Sequence, residues 1–491
     1  MVNFQNCEKK DFFETRQKNF MKIDDDFKLK REIFAIELRK HKRYENHMKF
    51  ARITYKSPKK SQKNSEKRVG IENIWKNPCL LEFHLSSLAN MVWEDNDAAI
   101  TICNGNFLPF IVSYIDNKYQ ESTITDAAKC LCKISALEHK YVKCLIKYGA
   151  HKKFVGILDK TRPKSNEFCI WALGNISADC TKYRDKILSL NIVFKLINLM
   201  LENPGIDTIA LISWTFSKLT REKPAISAST INSLLGACNE LLKYPYRSIK
   251  KDTLFAISYI SEYDEIDTIF STGIISKIFN YLIDNDEFLL LPSIRIIGNL
   301  ISKQCSLYTQ SLLEKGILDY LCFSAKSSVS AVRKEIQWTL CNIAAGTQSQ
   351  VKRLIEHRII WISIECLGDF DTKTRIEASY IFGNIAKSGN ITNIKFLVDK
   401  GILGYIKQNL RHSEYEYLVN LLEFCSAYLM IEDRNFNFHY YGDENYKEMN
   451  KSGCLEEIEN LIMSKNQKVH ELSSNILQAI CIYEEDTQFC C

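Results

Sequence analysis

The chain has 491 residues, 46% of them hydrophobic and 25% charged, which is the balance of a folded, water-facing protein too long for one ordinary core. Its 18 Gly and 8 Pro are too few for an all-β chain of tight turns. Its net charge of +6 is uneven: residues 1–70 hold 20 Lys/Arg against 10 Asp/Glu, a balance of +10, and residues 71–491 hold 45 against 49, a balance of −4.

Residues 1–27 are polar, mixed in charge and expected to be disordered. They lack the apolar core of a secretory signal. The stretch 28–53 reads as a basic helix, with Asp24, Asp25 and Asp26 suited to its N-terminal end. Leu29, Ile33, Ile36 and Met48 give it too little apolar surface to fold alone, so it orders when a partner covers it. A solvated tail, or one that adheres to nucleic acid, is the alternative. Residues 54–70 form a flexible linker by composition, with basic clusters at Lys59-Lys60 and Lys67-Arg68.

From residue 71 the chain repeats. KCLCKIS (129–135), WALGNIS (171–177), WTFSKLT (214–220), FAISYIS (255–261), RIIGNLI (295–301), WTLCNIA (338–344) and YIFGNIA (380–386) align, and their fifth residues are Lys133, Asn175, Lys218, Tyr259, Asn299, Asn342 and Asn384. Successive spacings are 42, 43, 41, 40, 43 and 42. A second marker keeps the beat: Gly105, Gly149, Asn191, Gly273, Gly316, Arg358 and Gly401 each precede a short apolar helix. Gly and Asn tolerate a left-handed turn there, and Arg358 would lose about 1 kcal/mol in one. Each unit reads as an apolar helix followed by a longer one. A helical period near 42 is the signature of an all-α armadillo or HEAT solenoid rather than a propeller, with about ten units over 71–484 and a tail at 485–491. The segment 436–450 reads as a loop between the last two units.

In the third unit Trp171 and Asn175 share one helix face, with Asp179 one turn on. An amide and a carboxylate need partners when buried. As a binding face the stripe is coherent: the ring takes a lysine stem and its cation, the amide clamps an extended backbone, and the acid selects ammonium groups. A lone Trp in an amphipathic helix is usually core. Repetition in one phase beside Asn favours binding for Trp171 and Trp338, whereas Trp75, Trp93 and Trp361 stand outside the stripe and read as packing residues.

WALGNISAD, FAISYIS, RIIGNLIS and RKEIQWTLCNIAAG, in that order behind IELRKHKRYENHMKFAR, resemble the importin-alpha family over residues 26–484. The resemblance implies a right-handed armadillo solenoid that carries basic nuclear localisation signals on its concave side. It further implies an arm, through Lys28, Lys30, Arg31, Leu38, Arg39, Lys40, Lys42, Arg43, Lys49 and Arg52, that engages importin-beta. A recycling export factor at the C-terminal repeats and shuttling between cytoplasm and nucleus complete the implied picture. The family's major peptide site maps onto Trp171, Asn175, Asp179, Trp214, Asp252 and Phe255. Its minor site maps onto Arg295, Asn299, Glu335, Trp338, Asn342, Glu377, Tyr380 and Asn384. Departures concentrate in the major site: Lys129 and Lys133 replace a Trp and an Asn, Lys218 an Asn, Phe255 a Trp, and Val142 a Thr. Arg221 also matches the family and, with Arg295, interrupts the array. Lysines in a lysine-binding groove repel the ligand, so the minor site is expected to dominate.

No GxxxxGK[ST], HExxH or GxSxG occurs, and the 18 cysteines show no CxxC or zinc ladder. No enzyme activity, cofactor, metal, direct nucleic-acid partner, membrane span or disulfide framework is expected. A catenin-like armadillo scaffold is the alternative function, disfavoured by the acidic body and the basic arm.

Overall fold

The structure, a computed structural model, describes residues 81–105, 107–221, 226–263, 267–303, 306–388, 390–429 and 443–489, and every regular element among them is helical. The basic segment 28–53, the linker 54–70 and Trp75 lie outside the described residues, as does the start of the 436–450 segment.

Ten long helices form the backbone of the fold: α1 (Leu81–Glu94), α2 (Glu121–Ser135), α3 (Pro163–Asp179), α4 (Ile206–Leu219), α5 (Arg247–Ile260), α6 (Glu287–Ile301), α7 (Ser330–Ala344), α8 (Thr372–Lys387), α9 (Tyr415–Leu429) and α10 (Gln467–Phe489). Each packs on the next, from α1 through α10, so they make one continuous ladder. This is the armadillo-repeat solenoid, in which each unit buries its apolar face only by stacking on its neighbours. Ile170, Leu173 and Ile176 on α3, and Ile294, Ile297 and Leu300 on α6, recur at three-residue spacing and are fully buried.

The connection between rungs holds more structure than the two helices per unit read from the sequence. In most units a short helix precedes the turn and another follows it, as in Ser306–Glu314, Gly316 and Ile317–Ser324 ahead of α7, whereas the single helix Ala228–Leu241 lies between α4 and α5. The turn is left-handed at Gly149, Asn191, Gly273, Gly316, Gly401 and Gly453, with φ between 56° and 89°. Two expected positions differ. Gly105 has φ −88° and Arg358 φ −56°, so Arg358 avoids the penalty an arginine would meet in a left-handed turn.

Ion pairs link successive rungs at their entrances. Arg247 at the start of α5 pairs with Asp286, the residue whose carboxylate caps α6. Arg333 on α7 meets Asp369 at 2.6 Å, and Arg375 on α8 meets Glu414 at 2.7 Å. Bidentate contact of Arg333 with Asp369 supplies the fixed geometry that a point charge lacks.

The C-terminal end departs from expectation. Residues 443–450, read as loop, begin a helix at Asp443–Ser452, and α10 continues to Phe489, past residue 484.

Candidate functional site

The aligned stripe residues lie on successive long helices, as the period requires. Each rung's Asn first serves the ladder itself. Asn175 donates to Ser135 Oγ at 3.0 Å, and Asn299 donates to Ser261 Oγ at 2.9 Å and to the Ser258 carbonyl at 3.2 Å. Asn342 reaches the Gly298 carbonyl at 3.4 Å and Asn384 the Cys341 carbonyl at 3.1 Å. In every case the acceptor belongs to the preceding rung. The amide is therefore a brace between helices as well as a face group: a carboxamide has two N–H donors and a carbonyl acceptor, and these bonds engage its NH2 group while leaving the carbonyl oxygen in place. Asn420 on α9 also donates back one rung, to Ser379 Oγ at 3.0 Å, but it stands over Gly383, where Trp214 and Trp338 stand over Gly174 and Gly298.

The rings sit between rungs, and small residues make room for them. A Cβ built on Gly174 would lie 2.1 Å from Cζ3 of Trp214, and one on Gly298 would lie 2.2 Å from Cζ3 of Trp338. The glycine before the Asn in WALGN and RIIGN is thus the floor on which the next rung's indole rests. That role was missed from sequence, although the Gly–Asn pairing was the available signal. Burial differs along the ladder. Trp171 and Trp214 are half-exposed, whereas Trp338 is 7% exposed, deeper than a groove wall was expected to be. Tyr380 and Phe255 are half-exposed, and the Phe255 and Tyr259 rings lie 6.4 Å apart.

Trp93, read as outside the stripe, joins it. Its ring meets Trp171 edge-on at 5.5 Å and Phe168 at the same distance, so α1 contributes an aromatic wall to the third rung. Trp361 lies off the ladder in the short helix Ile359–Glu365. Val142, at the position where the resemblance implies a Thr, is buried core.

In the α2–α5 half, the chain's own lysines lie on these rings. Lys218 Nζ sits 5.3 Å from the Trp214 centroid, and Lys129 Nζ sits 5.8 Å from that of Trp93 while donating to Asn90 Oδ1 at 2.7 Å. Burial pulls the Lys218 ammonium down to about 8, with nearby Asp252 working against that fall. Burial likewise lowers Lys133. Asp252 is buried, which raises its carboxyl above the ordinary range against the pull of Lys251 at 3.4 Å and of Lys218. Asp179 accepts from His139 Nδ1 at 2.6 Å.

In the α6–α8 half, Arg295 pairs with Glu335 at 2.9 Å, with Lys334 at 3.4 Å from the same carboxylate. Burial alone would raise the Glu335 carboxyl, but Arg295 and Lys334 outweigh it and bring it down to about 2. Glu335 also holds the Arg295 guanidinium above its ordinary range. Arg295 on α6 and Glu335 on α7 are thus paired across adjacent rungs. Glu377 stands half-exposed one rung further on.

Arg221, beside this surface, is tied to the body through its carbonyl, which accepts from the buried Arg184 at 2.5 Å. The Tyr263 hydroxyl donates to the neighbouring Thr220 carbonyl at 2.8 Å.

No protein-family model matches the chain. Its curated relatives include importin subunit alpha-1b of Oryza sativa subsp. japonica, 24% identical over 389 residues that make up 78% of this chain and 73% of that protein. Importin subunit alpha-3 of Arabidopsis thaliana is 24% identical over 478 residues, 94% of this chain and 90% of that protein. Among solved structures, an engineered protein superposes with TM-score 0.72 at 18% identity, covering 83% of this chain and 98% of that chain. The last similarity concerns the fold alone.

Proposed function

We propose that this chain, a relative of the importin alpha subunits, is a nuclear import adaptor whose ladder grips the extended Lys/Arg-rich signals of cargo proteins. The observation that carries the reading is the single-phase series of aromatic and Asn residues on consecutive stacked helices, with half-exposed acids beside it. A cargo lysine laid between two rungs would gain contact along its methylenes and a cation–π attraction of about 0.5–2 kcal/mol. The Asn carbonyls would accept from the peptide backbone whatever the cargo sequence.

The α6–α8 half is the principal peptide site in this reading. Asn299, Asn342 and Asn384 are all present there, and Glu377 supplies a half-exposed carboxylate one rung beyond Glu335. The α2–α5 half, with Trp171, Asn175, Asp179, Trp214, Asp252 and Phe255, is weaker because Lys129 and Lys218 already occupy the rings a cargo cation would use. Importin-beta takes the basic segment 28–53, a recycling export factor takes the C-terminal rungs, and the assembly shuttles between cytoplasm and nucleus.

A pull-down with importin-beta, comparing the full chain with a deletion of residues 1–70, tests the adaptor role. The proposal expects capture by the full chain and loss on deletion. Equal capture by both, or by neither, would favour an armadillo scaffold. Salt-dependent nucleic-acid binding without importin-beta would mark the arm as a nucleic-acid tail.

A further inference from the structure

We infer that His139, Asp179 and Cys180 form a transition-metal site, suited to Zn2+, at the edge of the third rung. The three residues come from different elements that the fold brings together. His139 opens the helix His139–Lys147, Asp179 ends α3, and Cys180 caps the helix Thr181–Leu188. One ligand atom from each lies within 4.8 Å of the other two, and His139 Nδ1 is 2.6 Å from Asp179 Oδ2. Ligand atoms around a tetrahedral zinc with bonds of 2.0–2.3 Å are separated by about 3.3–3.8 Å. Metal entry therefore requires the histidine–carboxylate contact to open slightly.

The arrangement permits that movement. The His139 side chain is 58% exposed and can swing, while its ring stacks parallel on Tyr183 at 5.6 Å, which fixes the plane it returns to. Asp179 and Cys180 are consecutive residues at a helix-to-helix corner, so their separation is set by the backbone. One imidazole, one thiolate and one carboxylate form a borderline-soft donor set that selects zinc over calcium or magnesium. Three protein ligands leave a fourth position for water or an incoming donor. Sequence spacing does not reveal the set, because the histidine precedes Asp179 by 40 residues and Cys180 by 41.

One consequence rests on the proposed peptide groove. Asp179 is the carboxylate assigned to a cargo ammonium in the α2–α5 half. A divalent cation there would take that carboxylate and repel the peptide's charge, so metal and basic peptide would exclude each other in this half.

The test is a Co2+ titration of the full-length chain under thiol-reducing, non-chelating conditions, read by visible absorption. A saturable one-equivalent species with a thiolate-to-cobalt charge-transfer band is expected. Cys180→Ser should remove that band, and His139→Gln should weaken binding at least tenfold, with helical circular dichroism unchanged in both. Absence of the band, or its survival in Cys180→Ser, would overturn the site. Zn2+ is then added to a fluorescent Lys/Arg-rich peptide bound to a Glu377→Arg chain. An affinity loss of tenfold or more, absent in the Cys180→Ser background, is expected. If cobalt binds as described but zinc leaves the peptide unaffected, the metal site stands and the placing of cargo lysine on Asp179 falls.

Discussion

The two halves of the ladder use the same parts in opposite ways. Around α2–α5, the aromatic rings are half-exposed and the chain lays its own lysines on them, Lys218 on Trp214 and Lys129 on Trp93. Around α6–α8, the ring of Trp338 is buried on Gly298, and the cation beside it, Arg295, is locked onto Glu335. A cation resting on a ring competes with a ligand for that ring. A cation bound to a buried carboxylate has become part of the wall. The lesson is that counting basic residues in a groove is a poor guide to its affinity for basic peptide; what each cation is already paired with decides.

The largest expected effect comes from breaking the wall pair. Glu335→Gln leaves the Arg295 guanidinium without its carboxylate, and chemical denaturation should show a loss of about 3–5 kcal/mol. The pH dependence has a definite sign. The folded carboxyl sits near 2 against an ordinary 4.5, so its contribution is present above 4.5 and is lost as pH falls toward 2. Wild type and Glu335→Gln should converge in stability over that window, and a gap that persists to its lower end would contradict the pairing.

A second contrast probes the glycine floors. Gly298→Ala places a methyl inside the buried Trp338 ring and should destabilise by about 1–3 kcal/mol, less the gain of up to about 1 kcal/mol that Ala brings to a helix. Gly174→Ala meets Trp214, which is half-exposed and can turn outward, so its loss should be smaller. Equal losses measured by urea unfolding would erase the distinction between a fixed and a movable ring.

Lys218→Asn removes the resident cation from Trp214 and restores an amide to the rung. It should raise affinity for a Lys/Arg-rich peptide by about tenfold, or about 1.4 kcal/mol, and do so even when the α6–α8 half is disabled by Glu377→Arg. No gain by fluorescence anisotropy would mean that Lys218 does not guard the ring. The smallest expected effect concerns the arm. Deleting residues 1–70 should change cargo affinity little, because Lys49-Phe-Ala-Arg52 is a thin cluster for a self-inhibiting pseudo-ligand. A hundredfold rise, about 2.7 kcal/mol, would show strong self-inhibition instead.

Much of this fold was legible because a solenoid writes its contacts into a period. The stripe spacing located seven of the long helices before any coordinate, and the Gly and Asn turns followed from backbone sterics. The third helix that most units carry was not legible: segments such as Ser306–Glu314 are short and mix polar with apolar residues. Trp93 escaped because it does not fall at the ring position that the period gives on α1, and only the packing of the helices shows its edge meeting Trp171. The pairings of Glu335 and Asp179 escaped for another reason. Their partners Arg295 and His139 lie about one period away in sequence, and only the stacking of rungs shows which side chain arrives.

The central claim is that basic peptide binds chiefly along the α6–α8 half. The most direct measurement is the affinity of one fluorescent Lys/Arg-rich peptide for the full chain carrying either Glu377→Arg or Asp179→Lys. The account predicts the greater loss from Glu377→Arg; a greater loss from Asp179→Lys would contradict it.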